Sequence, residues 1–181
     1  LLHKVDNSFL WIAKPHHTAI NNIYQEMTKR GLKKERIIFA KIMNFNDHFS
    51  RHLYGDLSLD TFNYTAGTTA FLALYAGLPH ITRTGKGFNT RGGTSILNAC
   101  NLNELITHNE SEYESLAYEL ATNKEKLAQI RNKLKNKQSS CFDPIKYTIE
   151  LEKLYTDINF SILSYFTRWN NCIVIIWDKT L

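Results

Sequence analysis

Residues 59–69 read Leu59-Asp60-Thr61-Phe62-Asn63-Tyr64-Thr65-Ala66-Gly67-Thr68-Thr69. The segment Asp56 to Asp60 (DLSLD) reads as a strand, and a loop of small and polar residues follows it. A helix then begins at a threonine pair, runs from Thr68 to Ala76, and is closed by Gly77 and Pro79. Strand, loop and helix in that order form the repeating unit of a parallel α/β layer. Backbone N–H groups at the start of such a helix lack intrahelical partners, and with two hydroxyls beside them they form an anion site. Gly67 would let a phosphate approach the backbone closely. A plainly capped helix start explains the same residues, and the local sequence leaves both readings open.

The segments on either side repeat the pattern. Ser8 to Ala13 (SFLWIA) is a short apolar strand ended by Lys14-Pro15. Ala19, Ile20, Ile23, Tyr24 and Met27 recur at helical spacing, with Gly31 placed as a C-cap glycine. Arg36 to Ala40 (RIIFA) is a second buried strand. Asn46 and Asp47 are good N-cap types ahead of a short helix from His48 to Tyr54. Beyond Pro79, His80 to Thr82 makes a fourth strand and Thr84 to Gly93 a glycine-rich basic loop. A helix lies near Thr94 to Cys100.

Short apolar strands separated by helices predict a parallel sheet flanked by helices on both faces. Ligands of such sheets bind beyond the carboxyl ends of the strands, which here means the loops after Ala40, Asp60 and Thr82. From Ser111 onward the periodicity is helical, in three stretches marked by Tyr113, Leu116, Ala117 and Leu120, by Leu127, Ile130 and Leu134, and by Tyr147, Leu151, Leu154 and Tyr155. Pro144 sits where a last helix would begin. Asn159 to Leu181 changes character, with two of the three tryptophans and an apolar run from Cys172 to Trp177.

Composition narrows the function classes. The chain has 181 residues, 43% of them hydrophobic and 22% charged, which is ordinary for a globular protein. The net charge of +5 suits a phosphate-bearing ligand without requiring one. Much of the excess lies in Lys124, Lys126, Arg131, Lys133, Lys135 and Lys137, spaced like the solvated face of a helix. No aromatic platform or recognised motif accompanies them, which argues against nucleic acid. Cys100, Cys141 and Cys172 are scattered and odd in number. They predict neither a disulfide framework nor a metal site, and point to a reducing, cytoplasmic setting. The opening at Leu1, almost directly into a strand, reads as a truncated start. No run of 18 apolar residues would span a membrane.

Two further pairs carry possible chemistry. His48 and Arg51 are three apart after a strand end, so they share a face and could stack on a base and hold a ribose or phosphate. A surface His and Arg on a polar turn is the plainer reading. His16-His17 would need further ligands to bind metal, and none is recognisable, so they read as surface residues near a helix start. Gly85-Lys86-Gly87 completes no phosphate-loop motif, and no nucleophile elbow is present.

Taken in order, these segments resemble the C-terminal catalytic half of the O-GlcNAc transferase/SPINDLY family from about Val5 to Ile158. The resemblance is carried by Ser8-Phe9-Leu10-Trp11, Arg36-Ile37-Ile38-Phe39 with His48 one short loop later, Leu59-Asp60-Thr61, Thr68-Thr69, Leu74-Tyr75-Ala76-Gly77-Leu78-Pro79, Arg91 after its glycine-rich loop, and the closing Tyr147 to Tyr155. It implies the Rossmann-like C-terminal half of a GT-B glycosyltransferase, occupying residues 1–158 and lacking its first strand and helix, with residues 159–181 an unassigned extension.

The same resemblance implies a donor site. His48 matches the histidine that contacts the nucleotide base, Arg51 a basic neighbour, and Met43 the position of a backbone contact to the base. Thr68 and Thr69 match the pair that holds the diphosphate, with Gly67 before them. It further implies UDP-GlcNAc as donor, Ser or Thr of a protein as acceptor, no metal or cofactor, and TPR repeats in the parent protein. The catalytic groups would lie in an N-terminal half. The chain departs from the family at Gly67, where many relatives have His, and at Leu72, where they have an acidic residue that bonds the ribose. Phe45, Asn63 and Lys86 replace Lys, Pro and Glu. GDP-fucose as donor and a non-catalytic binding module are the alternative readings.

Overall fold

The computed structural model describes residues 1–136 and 142–168. Strand β1 (Leu10–Ala13) pairs in parallel with β2 (Ile37–Ala40), Leu10 facing Ile37 and Ala13 facing Ala40. The crossover is α1 (His17–Lys29), which turns its one buried residue, Met27, inward. Gly31 follows at φ +67°, a left-handed conformation that lets the Leu32 N–H reach back to Met27 O at 2.9 Å.

After β2 comes α2 (Phe45–Ser50), continued by a 3-10 turn over Arg51–Tyr54. Its N-cap is Asn44, whose side chain accepts the Asp47 N–H at 3.0 Å, and not Asn46 or Asp47 as the sequence suggests. Only Asn44 stands three residues before an N–H that it can reach from outside the helix.

A second sheet runs in the order β3 (Ser58–Leu59), β4 (His80–Arg83), β5 (Ile106–Thr107), all parallel. The sequence predicts one sheet, and the strands instead form two. Among the described residues, no strand of the β1–β2 pair is hydrogen-bonded to a strand of the three-stranded sheet. β5 escapes the sequence reading because two residues, one of them threonine, show no periodicity.

The three-stranded sheet is flanked by α3 (Thr68–Tyr75), α4 (Gly92–Ala99), α5 (Glu110–Thr122) and α6 (Lys124–Lys135). The main core lies here. Leu74, Ile81, Leu97, Leu102, Leu105 and Leu120 are all but excluded from solvent, with Ile130 and Leu134 of α6 beside them. Each such side chain stabilises the fold by about 1.5–3 kcal/mol relative to exposure. Asn109 and Asn123 cap α5 and α6 by accepting the N–H groups of Glu112 and Lys126. Residue Glu112 reaches back to the His108 N–H, giving α5 a reciprocal cap.

The basic series on α6 is largely exposed, but Arg131 donates from Nη2 to Gly55 O at 2.7 Å and ties α6 to the entry of β3. α4 begins at Gly92, two residues before the predicted Thr94, because its first two glycines fit against the loop that follows β3. Cys100 is disulfide-bonded, which corrects the expectation of free thiols. Cys141 and Cys172 lie outside the described residues.

Contacts divide the chain into Leu1–Phe142 and a second unit beginning at Asp143. The second is described as one helix, α7 (Pro144–Arg168), with Asp143 Oδ1 accepting the Ile145 and Lys146 N–H groups at its start. The apolar run from Cys172 to Trp177 lies outside the described residues. No described helix is long and apolar enough to cross a membrane.

Candidate functional site

The loop after β3 is built around a carboxylate. Asp60 directly follows the strand and is buried. Its Oδ1 accepts N–H groups from Thr61 at 2.9 Å and Ala66 at 2.8 Å, one at each end of the loop. Its Oδ2 accepts the Thr82 hydroxyl of β4 at 2.6 Å. The Tyr113 hydroxyl of α5 donates to Asp60 O at 3.0 Å. His80 Nε2 stands 3.4 Å from Oδ2 without a hydrogen-bonding angle, while His80 Nδ1 lies 2.9 Å from Ser58 Oγ.

Burial pushes the Asp60 carboxyl up, but His80, the Thr82 hydroxyl and the Ala66 N–H together pull it further down. The carboxyl therefore lies below its ordinary 3.8. Burial first, and then the Asp60 charge, holds the Tyr113 hydroxyl well above its usual 10.0, so it stays a donor.

This loop is also clasped to the one after β4. Thr65 N and Thr65 Oγ1 both donate to Asn89 O, at 2.9 and 3.0 Å, and Asn89 Nδ2 donates to Asn63 O at 3.1 Å. Thr65 Oγ1 in turn accepts the Gly93 N–H at 3.3 Å. Arg83 ends β4 with its guanidinium 4.1 Å from the centre of the Phe62 ring and a 2.9 Å pair to Glu110.

The loop delivers the chain to Gly67, the N-cap of α3, where no side chain caps the helix. Thr68 and Thr69 lie exposed on the first turn. A Cβ atom at Gly67 would meet nothing within 4 Å, so the space in front of the helix is open. The N-terminus of α3 therefore presents free N–H groups and two hydroxyls to solvent, an arrangement that attracts an anion.

The other predicted residues sit beyond the carboxyl end of β2. Met43 is half-exposed in the loop. His48 is partly buried near the end of α2, its ring edge-on to His52 with centroids 5.0 Å apart. Partial burial, followed by the charges of Arg51 and His52, pulls the His48 imidazole below its usual 6.5. Arg51 donates from Nη1 to Lys41 O at 3.0 Å and lies 6.0 Å from the Trp11 ring, so it also holds the loop after β2. The Phe49 ring of α2 packs 5.9 Å from that of Tyr75 on α3.

Leu72 is partly buried on α3, one turn after Thr68. Arg91 is exposed at the start of α4, and Lys86 and Phe88 are exposed at the tip of the loop after β4. The His16 and His17 rings lie 3.9 Å apart, tilted by 46°, at the start of α1, and among the described residues no three potential ligands gather for a metal.

Sequence reasoning missed Asp60, Thr82, Asn89 and Gly93 as organisers of the loop. The available signal was an aspartate closing an otherwise short, half-apolar strand, a place where an unpartnered carboxylate would be costly.

A family model, glycosyl transferase family 41, matches residues 1–151. The chain is 30% identical over 156 residues to the UDP-N-acetylglucosamine–peptide N-acetylglucosaminyltransferase of Caenorhabditis elegans, a match covering 85% of this chain and 14% of that protein. It is 34% identical over 128 residues to the SPINDLY protein of Petunia hybrida, covering 69% of this chain and 14% of the relative. Among solved structures, an O-GlcNAc transferase mutant from Thermobaculum terrenum superposes with a TM-score of 0.71 at 28% identity, over 77% of this chain and 27% of the other. The chain thus spans about one seventh of the length of the first two relatives.

Proposed function

The chain belongs to glycosyl transferase family 41, and from that premise we propose that it forms the nucleotide-binding part of an enzyme that transfers GlcNAc from UDP-GlcNAc to Ser or Thr of proteins. Residues 1–158 would make up this part. The observation that carries the reading is the uncapped, solvent-facing start of α3 at Gly67-Thr68-Thr69, held in place by a loop pinned at both ends to the Asp60 carboxylate.

In this reading the N–H groups and hydroxyls of Thr68 and Thr69 receive the diphosphate and stabilise the charge that develops on it as the sugar leaves. His48, neutral at pH 7, and Arg51 line the base side, with Met43 supplying a backbone contact. The acceptor site and the groups that act on the acceptor hydroxyl belong to the rest of the parent protein, with its TPR repeats. A cytoplasmic setting is part of the proposal. The Cys100 disulfide counts against it, so the redox state of Cys100 in the purified parent protein is its test.

Calorimetric titration of the parent protein with UDP and with GDP tests the reading. UDP binding that is lost in Thr68→Ala and His48→Ala supports it. Preferential GDP binding replaces the donor with a guanosine sugar such as GDP-fucose. Binding of neither nucleotide makes the chain a non-catalytic module, the outcome that Leu72 and Gly67 would then explain.

A further inference from the structure

We propose that Asp60 is the positioning residue of the phosphate subsite: it never touches the donor, but fixes the loop that aims the start of α3. This rests on the donor-site reading above. The carboxylate is buried beneath the loop, and both of its oxygens accept from protein donors.

The two Oδ1 bonds hold the first and last parts of the segment Thr61–Ala66 to a single atom. Ala66 is the residue immediately before Gly67, so the second of these bonds sets where the helix begins. The Oδ2 bond to Thr82 anchors the carboxylate to the central strand β4, and the Tyr113 hydroxyl fixes the Asp60 carbonyl from α5. The loop is thereby referenced to the sheet rather than to solvent.

The charge also argues for an indirect role. A carboxylate facing a diphosphate would repel it, but here both carboxylate oxygens are turned to protein donors. An asparagine would supply one acceptor oxygen and turn an NH2 group, a donor, towards either the loop amides or the Thr82 hydroxyl. Turned to the loop, the NH2 group would break both hydrogen bonds to the loop amides; turned to Thr82, it would reverse that bond and strip the buried hydroxyl of its acceptor, with little change in volume either way.

The test compares UDP with uridine, because uridine carries the base and ribose but no phosphate. In the intact parent protein, Asp60→Asn and, separately, Thr82→Val should weaken UDP by about tenfold, equivalent to about 1.4 kcal/mol. Uridine should stay within roughly twofold, as expected for a separate part of the site. Thr82→Ser, which keeps the hydroxyl, should retain UDP affinity. Thr82→Val serves if Asp60→Asn does not fold. Parallel weakening of UDP and uridine would reduce Asp60 to a general fold anchor and overturn the proposal, as would unchanged UDP binding in both variants. If the wild-type protein binds GDP instead, the same comparison is made with GDP and guanosine. If it binds neither diphosphate, the donor-site reading falls and this proposal with it.

Discussion

The backbone of Gly93, in the first turn of α4, passes so close to Asp60 that a Cβ atom there would lie 2.5 Å from Asp60 Oδ2 and 2.6 Å from Thr82 Oγ1. Neither neighbour is the free end of a flexible chain, since the two are hydrogen-bonded to each other. Gly93→Ala should therefore destabilise the protein by about 1–3 kcal/mol through overpacking. A melting temperature equal to that of the wild type would show that the pair can move aside.

Asp60 should also leave a mark on acid stability. Its folded pKa lies below the ordinary value, so the carboxylate stabilises the fold above the unfolded-state pKa, and that contribution is lost as pH falls through the folded value. The loss belongs below about pH 4. At neutral pH, Asp60→Asn should cost about 1–3 kcal/mol, and the variant should lose less than the wild type on further acidification. Urea titrations at neutral and acid pH check this, and curves that stay parallel between the two proteins would contradict it.

His48 gives a dependence of the same sign, in nucleotide binding rather than in stability. Its pKa is pulled down by burial and by Arg51 and His52, so the ring stays neutral to a lower pH than a free histidine. Uridine, which has no phosphate to titrate, should bind the parent protein with constant affinity from pH 8 down to about 6.5 and more weakly below. His48→Ala should remove that pH dependence. Affinity that instead rises as the pH falls would mean that the protonated ring is the binding form.

Leu72 shares a face with Thr68, four residues earlier on α3. Leu72→Asp should strengthen UDP binding if a ribose hydroxyl reaches this face unpartnered, by roughly tenfold for a hydrogen bond to a charged group. Unchanged affinity would mean that another group already holds the ribose. The substitution also loses some packing, so the melting temperature should fall slightly in either case.

Much of this organisation was legible because its causes are local. Arg36 to Ala40 reads as a strand because it is a short apolar run, and Thr68 to Ala76 reads as a helix because glycines and Pro79 bracket it; the observed elements are Ile37–Ala40, with Ile38 exposed, and Thr68–Tyr75. The position of the start of α3 followed from the same bracketing, whereas its lack of a side-chain cap did not. What was not legible depends on distant partners. The ligands of the Asp60 carboxylate and carbonyl come from positions 61, 66, 82 and 113, and no spacing in the chain connects them. The cap of α2 was misplaced for a subtler reason. Asn44, Asn46 and Asp47 are equivalent by residue type, and only the backbone path of the preceding loop singles out Asn44.

The division into two sheets has a thermodynamic consequence. His48 and Arg51 hang from the pair β1–β2, whereas Thr68 and Thr69 hang from β3–β4–β5, and no ladder hydrogen bond runs between the two groups. Aromatic packing such as that of Phe49 on Tyr75 links them instead, a contact with far more angular freedom than a β-ladder. The two blocks can therefore exchange their amide hydrogens at different rates, as separate cooperative units. A nucleotide spanning both would act as a crosslink: part of its intrinsic affinity would be spent on suppressing their relative motion, and the slower of the two exchange patterns would spread to the other upon binding.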